Sequence, residues 1–163
     1  MKPLMRGPVS VAMGLLVAAA VATAAFAQAQ PTLPQVSLTI DTKKGPVKFS
    51  VEVASDDESR ERGLMFRTHM DKNAGMLFEF PGDQFESFWM KNTILPLDLL
   101  FIKRDGTISS ISANAKPFSE ATIHSVEPVR AVLELNAGRA AALGIRPGQK
   151  AHAAFFGNLP TPK

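Results

Sequence analysis

Hydrophobic and polar residues alternate in two neighbouring segments that follow the N-terminal 34 residues. The first segment is apolar at positions 36, 38 and 40, and the second at positions 47, 49, 51 and 53. Between them, Lys43-Lys44-Gly45-Pro46 favours a turn. A period of two residues is typical of a β-strand with one buried face. The pattern therefore predicts a β-hairpin here.

Two short segments carry helix signals instead. Ser55-Asp56-Asp57-Glu58 fits a capping box, in which the first side chain binds the backbone N–H groups of the first turn. Gly63 is a natural helix stop, so a helix of about two turns is predicted between them. Residues 138–143 predict one further helical turn, which Gly144 ends.

The rest of the chain favours strands. They are predicted over residues 76–80, 85–92, 97–103, 107–113, 129–135 and 151–156, with an Asp105-Gly106 hairpin turn. The run Leu97–Ile102 is almost continuously apolar, which is typical of a strand covered on both faces. Eight strands and two short helices predict a mainly β, single-domain, sandwich- or barrel-like fold over residues 35–157. An extended leader (28–34) and a C-terminal tail (158–163) flank it.

The N-terminal segment has the layout of a secretory signal. Lys2 and Arg6 precede the uncharged residues 7–27, and small residues follow in the overlapping patterns Ala25-Phe26-Ala27 and Ala27-Gln28-Ala29. Residues 1–27 are therefore predicted to be a signal peptide cleaved after Ala27 or Ala29. The alternative is an uncleaved anchor, because 21 uncharged residues reach the ~20 that span a bilayer. We expect a bacterial periplasmic protein with no stable membrane span after processing.

Charge and cysteine content exclude several functions. Two of the 18 basic residues lie in the predicted signal peptide, which has no acid, so 16 basic residues face 15 acidic ones in the remainder. This near-neutral remainder gives no support for a nucleic-acid partner. The chain has no Cys, so disulfides, thiolate metal sites and cysteine nucleophiles are all excluded.

The densest group of functional side chains lies between Phe88 and Asp98. An indole beside ammonium, amide and hydroxyl groups is typical of a pocket for a polar small molecule or a sugar. Asp98 opens the buried strand and needs a partner there, for which Lys91, Arg67 or backbone N–H groups are candidates. Strand alternation would place Trp89, Lys91 and Thr93 on one face. The candidate ligand-binding residues are Arg67, Trp89, Lys91, Asn92, Thr93 and Asp98. In the alternative interpretation Trp89 is a core residue, Lys91 a solvated edge residue and Asp98 a turn cap.

Several of these residues also carry a family resemblance. The pattern Arg60-x-x-Gly63-Leu64-Met65-x-Arg67, residues 75–80 and the run 88–98 are similar to the domain of unknown function 192 family, as are residues 132–138 and 143–148. The resemblance covers about Val36 to Phe156. It implies a compact β-sandwich-like domain, often exported, without an established biochemical activity. Gln149 stands where that family usually has Asp.

The function predicted from these features is a non-enzymatic binding module of the cell envelope, for a small polar molecule or an envelope component. No catalytic residue, cofactor or metal site is predicted. One alternative is an envelope hydrolase of a glycan or peptidoglycan-related substrate, with Asp98 or Glu134 as acid or base. A less favoured one is Cu(I) binding through thioethers and His69, but the three histidines lack ligand spacing.

Overall fold

The structure, a computed structural model, describes residues 28–159. The predicted signal peptide and the last four residues of the predicted tail lie outside them. The described chain forms, in order, β1 (Gln35–Thr42), β2 (Gly45–Ala54), α1 (Asp57–Arg62), β3 (Ala74–Gln84), β4 (Ser87–Phe88), β5 (Leu97–Ile102), β6 (Ile108–Ala115), β7 (Ile123–His124), β8 (Val129–Asn136), α2 (Arg139–Leu143) and β9 (Ala151–His152). A 3₁₀ turn, Ala154–Phe156, follows β9.

Seven of these strands form one curled sheet in the order β6-β5-β8-β3-β2-β1-β9, and β4 pairs with β7 in a small second sheet. All neighbours in the large sheet are antiparallel except β2 and β3, which are parallel and are connected through α1. The two ends of the sheet meet where Thr107 bridges to Lys150 and Ile108 donates its N–H to the Gln149 carbonyl. The predicted mainly β fold with two short helices is confirmed as a half-barrel.

Apolar clusters lie on both faces of the large sheet. On β8, Leu133 and Leu135 belong to the cluster enclosed by the curl of the sheet, which includes Leu38, Ile40 and Leu100. Val132 belongs to the cluster on the other face, with Met76 and Phe78. Every residue of β5 is buried, so the prediction that this strand is covered on both faces is confirmed. Neither helix in residues 28–159 is long and apolar enough to cross a bilayer.

The locally determined features match the prediction well. The first hairpin pairs Thr42 with Gly45 across a two-residue loop, and Gly45 has a φ of 109°. The predicted stop at Gly63 is confirmed as the C-cap of α1. The capping box lies one residue later than predicted: Asp56 is the N-cap, its carboxylate accepts from the Ser59 N–H, and the Ser59 hydroxyl accepts from the Asp56 N–H.

Three predicted strands have different bounds. β3 continues past Pro81-Gly82 to Gln84, because an irregularity in its pairing with β8 between Glu79 and Gln84 accommodates the proline. The predicted strand 85–92 is wrong except at Ser87–Phe88, and β7, its partner, was not predicted. The predicted strand 151–156 is wrong beyond His152, since the chain turns there into the 3₁₀ turn.

Candidate functional site

The candidate site is centred on a buried carboxyl group in the middle of the large sheet. Glu134 lies on β8, paired with Met76 of β3 on one side and Leu99 of β5 on the other. It lies on the same face as Val132 and is 4% exposed. Within residues 28–159, no group donates a hydrogen bond to its carboxyl and no cation pairs with it. Burial raises the pKa of Glu134 to about 8.

Glu134 lines a cavity of about 320 Å³, one wall of which is aromatic. Phe78 and Phe88 meet edge to face with their ring centroids 5.1 Å apart, and Phe80 and Trp89 complete this wall. A volume of this size is at the lower end of the range of small-molecule sites. The cavity therefore combines an aromatic wall with a buried carboxyl group that has no partner among the described residues, a combination typical of a ligand site.

Helix α1 forms one side of the cavity and places charged side chains there. Arg60 donates to the carbonyl oxygen of Glu79 at 2.8 Å and also binds the Ser55 carbonyl and the Asp57 carboxylate. Its guanidinium lies 5.7 Å from the ring centroid of Phe80. Arg60 is thus held by the protein itself, and its charge is largely balanced there.

Glu86 lies on the cavity beside β4. Its backbone N–H donates to the Ser125 hydroxyl at 3.0 Å, and its carboxylate accepts from the Gln84 amide. Burial raises the pKa of Glu86 above its ordinary value, although the Gln84 hydrogen bond and the charge of Arg60 act in the opposite direction. The cavity therefore holds two carboxyl groups that bind protons more tightly than usual.

The predicted site residues from Trp89 to Thr93 lie in a turn rather than a strand. The Met90 N–H donates to the Ser119 carbonyl, the Thr93 N–H donates to the Met90 carbonyl, and Asn92 adopts a φ of 56°. The predicted alternation of faces is therefore wrong: Trp89 is 46% exposed, whereas Met90 and Thr93 are buried. A left-handed residue reverses the chain direction, which no period-two pattern can do.

The structure brings four of the six predicted residues together. Trp89 and Thr93 line the Glu134 cavity. Trp89 also lines a neighbouring, wider depression of about 590 Å³, together with Lys91 and Asn92. The Lys91 ammonium lies 5.0 Å from the centroid of the Trp89 ring, close enough for a cation–π contact. Trp89 thus lines both the Glu134 cavity and the wider depression.

Arg67 lies apart from this group. Its guanidinium makes a two-pronged ion pair with Glu52, at 3.0 and 2.8 Å, and lines a separate depression of about 210 Å³ beside β2. Glu52 also accepts the backbone N–H of Leu33. Arg67 therefore serves to connect the leader segment, β2 and the loop after α1.

Asp98 is fully buried and binds only backbone donors. Its carboxylate accepts the N–H groups of Asn114 at 2.9 Å, Gly138 at 3.1 Å and Ala140 at 2.9 Å. The expectation of a charged partner, Lys91 or Arg67, is wrong, whereas the third candidate, backbone N–H groups, is confirmed. Two of the donors belong to the start of α2, whose N-cap Gly138 has no side chain to cap the helix. Asp98 is therefore a structural cap.

Sequence reasoning missed most of the aromatic wall, both arginines of α1 and Glu86. These groups come from α1, from β3 and from β4 with the residues before it, so no local spacing connects one group with the next. The sequence does carry a signal for Glu134, because a carboxylate interrupts the apolar residues from Ala131 to Leu135, but that signal enters the prediction only through the alternative hydrolase function.

The three histidines lie apart, each with its own partner. His69 pairs with Asp71, His124 with the Ser87 hydroxyl, and His152 with Asp41. Over residues 28–159, no three His, Cys, Asp or Glu residues are grouped so that they could hold a metal ion.

The fold and the site define a small half-barrel protein with a cavity that is lined by four aromatic side chains and a buried carboxyl group. Residues 38–153 match the domain of unknown function 192 family, described as an uncharacterized ACR, and the chain belongs to this family. No curated protein matches the chain.

Two solved structures share the fold. One, from Sinorhizobium meliloti 1021, was described as a "putative transcription regulator"; it is 46% identical over 77% of this chain and 98% of its own, with a TM-score of 0.75. The other is a protein of unknown function from Novosphingobium aromaticivorans DSM 12444. It is 39% identical over 74% of this chain and 86% of its own, with a TM-score of 0.73.

Proposed function

We propose that this protein is a small-ligand-binding module of the cell envelope and that the Glu134 cavity is its binding site. The observation that carries the proposal is a carboxyl group 4% exposed, with no hydrogen-bond partner among the described residues, in the lining of a cavity of about 320 Å³. An unpaired buried polar group costs on the order of 1–3 kcal/mol. A ligand that supplies the missing partner recovers that free energy on binding.

The location in the envelope rests on the predicted signal peptide. A cationic start, an uncharged apolar stretch and small residues at 25–29 support export. For the similar S. meliloti protein, the description as a regulator would imply a nucleic-acid partner. In this chain, the near balance of acidic and basic residues beyond residue 27 favours a small molecule instead.

A second function, hydrolysis, is favoured by one observation. Glu134 and Glu86 line the same cavity, and burial raises the pKa of both. A carboxyl that remains protonated near neutral pH is suited to general acid catalysis, and a second one can act as base. Asp98 does not fit this role, because three backbone N–H groups saturate it and it has no access to solvent.

The test is a thermal-shift screen of the purified protein against a library of small cations, neutral sugars and anions. A ligand at 100 times its Kd stabilises the protein by ~2.7 kcal/mol, which is easily measured. Glu134→Gln removes the buried carboxyl group on which the proposal rests and keeps nearly the same side-chain shape. Glu79→Gln is the matched control, because Glu79 is half-buried with a raised pKa but does not line the cavity.

We expect at least one ligand to raise the melting temperature of the wild type and of Glu79→Gln but not that of Glu134→Gln. Turnover of that ligand would support the hydrolase instead of the binding module. If no ligand in the library gives a shift that depends on Glu134, the proposed site is wrong.

A further inference from the structure

The charges around the Glu134 cavity identify the class of ligand. Apart from Glu134, whose raised pKa favours the neutral carboxyl, three acidic residues and two arginines line it, so the lining carries a formal excess of one negative charge. Arg60 is engaged by Asp57 and by two carbonyl oxygens. The lining residues that a ligand would meet are therefore more acidic than basic, and they disfavour an anion.

The aromatic side chains point to the same class. Two rings of the wall already hold cations of the protein itself: Lys91 lies 5.0 Å from the Trp89 centroid and Arg60 5.7 Å from the Phe80 centroid. A ring face attracts a cation through its quadrupole, and the attraction increases when water is excluded. Phe78 and Phe88 extend this apolar surface inside the cavity.

The buried carboxyl group specifies the head of the ligand. Glu134 has no donor among residues 28–159, and a carboxylate with no cation beside it is strongly disfavoured in a buried position. A primary ammonium group brings both a positive charge and three N–H donors. It would thus stabilise the ionised carboxyl, for which residues 28–159 supply neither a hydrogen-bond donor nor a paired cation.

We propose that the ligand of this cavity is a primary ammonium ion on a compact apolar or aromatic body, with its ammonium on Glu134 and its body against Phe78, Phe88 and Trp89. This inference rests on the proposed function. When the ligand binds as a cation near neutral pH, the Glu134 carboxyl gives up its proton to the solvent and forms the ion pair with the ammonium. Arg60, Arg62, Asp57 and Glu61 of α1 and Glu86 beside β4 are the other charged residues that line the cavity.

The experiment compares three probes with nearly the same body by titration calorimetry at pH 7. They are 2-phenylethylammonium, the neutral 2-phenylethanol and the anion phenylacetate. The wild type should bind the ammonium at least about 10-fold more tightly than the alcohol, because a hydrogen bond between charged groups is stronger than one between neutral groups. Binding of phenylacetate should be too weak to detect.

Proton release gives an independent readout. Titrations of the ammonium in two buffers with different ionisation enthalpies should show release of up to about one proton for each ligand bound. In Glu134→Gln the release should disappear and the ammonium affinity should fall about 10-fold, whereas the affinity for the alcohol changes little. Glu79→Gln should behave like the wild type. Trp89→Ala, at an exposed position, should weaken both neutral and cationic probes without unfolding the protein.

The outcomes separate this inference from the proposed function. If the alcohol or phenylacetate binds as tightly as the ammonium and its binding depends on Glu134, the cavity is a ligand site but the ammonium inference is wrong. The inference also fails if the ammonium binds without proton release or binds equally well to Glu134→Gln. If neither these probes nor any library compound binds through Glu134, the proposed function fails as well.

Discussion

At the scale of single residues, two buried carboxyl groups on neighbouring strands have opposite surroundings. Asp98 of β5 pairs with Leu135 of β8, one position from Glu134, so the two lie in adjacent rows of the sheet. Three backbone N–H groups satisfy Asp98, whereas none of the residues from 28 to 159 donates a hydrogen bond to the Glu134 carboxyl. Hydrogen bonds to a buried carboxylate offset its desolvation, and their absence leaves the cost in place. Asp98 therefore has a structural role, whereas Glu134 is available to a ligand.

We predict that Asp98→Ala lowers the free energy of unfolding by about 2–4 kcal/mol, since it leaves three donors without a partner, one of them the buried Ala140 N–H. Lys91→Ala should cost under about 0.5 kcal/mol, because Lys91 contacts the half-exposed Trp89 ring and not Asp98. Urea unfolding of both variants and of the double mutant measures these changes in the free energy of unfolding. The two effects should be additive. A cost below about 0.5 kcal/mol for Asp98→Ala would contradict the role as a cap.

Glu134 should make stability depend on pH in a defined direction. Its pKa rises from 4.5 to about 8 on folding, so the unfolded chain ionises first as pH increases. Below pH 4.5 both states hold the proton and the group has no effect. Between pH 4.5 and about 8 the folded state binds more protons, so stability falls as pH rises, and above that range the loss is complete.

Glu134→Gln should remove that dependence. Between about pH 5 and pH 8, the free energy of unfolding of the variant should rise relative to that of the wild type. The difference should grow by about 1.4 kcal/mol for each pH unit, to a total of several kcal/mol. Urea unfolding at pH 5, 6.5 and 8 measures the difference, with Glu61→Gln as an exposed control on the cavity. A difference between the variant and the wild type that is constant over this range would show that Glu134 is ionised throughout.

The site residues that could be predicted are those that lie close together in the sequence. Trp89, Lys91, Asn92 and Thr93 could be found because they lie within five residues of sequence and are unusual in composition. Arg60, Phe78 and Glu86 could not, because only the tertiary fold brings them to Glu134. The partners of Asp98 were also hidden, since its backbone donors lie 16 to 42 residues away and leave no trace in side-chain identity.

At the scale of elements, turns with local signals were predictable, and strand ends that depend on distant partners were not. The Asp105-Gly106 turn forms as predicted, with Thr107 donating its N–H to the Asp105 carboxylate. By contrast, β3 passes through Pro81-Gly82 and the segment after Phe88 leaves its strand. Both differences arise from pairing with β8 or from hydrogen bonds to residues such as Ser119.

The Asp-Gly turn also closes the curled sheet, which gives a matched pair of glycine substitutions. Gly106 and Gly148 have nearly the same φ, 85° and 87°, so alanine is strained at both. At Gly106 the added Cβ would lie 2.2 Å from the carbonyl oxygen of Ala151, a backbone atom, whereas at Gly148 it would meet nothing within 4 Å. We expect Gly148→Ala to cost about 1 kcal/mol through strain alone.

Gly106→Ala should cost at least ~2 kcal/mol more, because the clash must separate β9 from the turn before β6. Thermal and urea unfolding of the two variants measure this difference. Equal costs would mean that the contact between the two ends of the sheet contributes little to stability.

At the scale of the whole molecule, the fold class was predictable and the order of the strands was not. Alternation and turn signals indicate where most of the strands lie and which face of each is buried, although they leave out β7. They do not indicate that β8 enters between β5 and β3, or that β2 and β3 run parallel through α1. That order decides that Glu134 is flanked by Met76 and Leu99 on a face that α1 then covers.

The leader segment extends this arrangement toward the predicted processing site. The Gln30 amide donates to the Gly63 carbonyl at 2.8 Å and to the Ser59 carbonyl at 3.3 Å, at the end of α1. Leu33 is held by Glu52, and the Pro34 carbonyl accepts the Val53 N–H. The chain is therefore attached to the domain from Gln30 onward, close to Gly63, which lines the Glu134 cavity.

We predict that the mature protein begins at Gln28 or Gln30, because the small residues 25, 27 and 29 suit signal peptidase. Either product retains the Gln30 side chain that binds the end of α1. Periplasmic fractionation followed by intact mass and N-terminal sequencing decides between the two sites. Ala27→Leu together with Ala29→Leu should block processing and retain the precursor in the membrane, while Ala18→Leu, far from either site, should not. Recovery of wild-type protein with Met1 in the membrane fraction would instead show that residues 1–27 are an anchor.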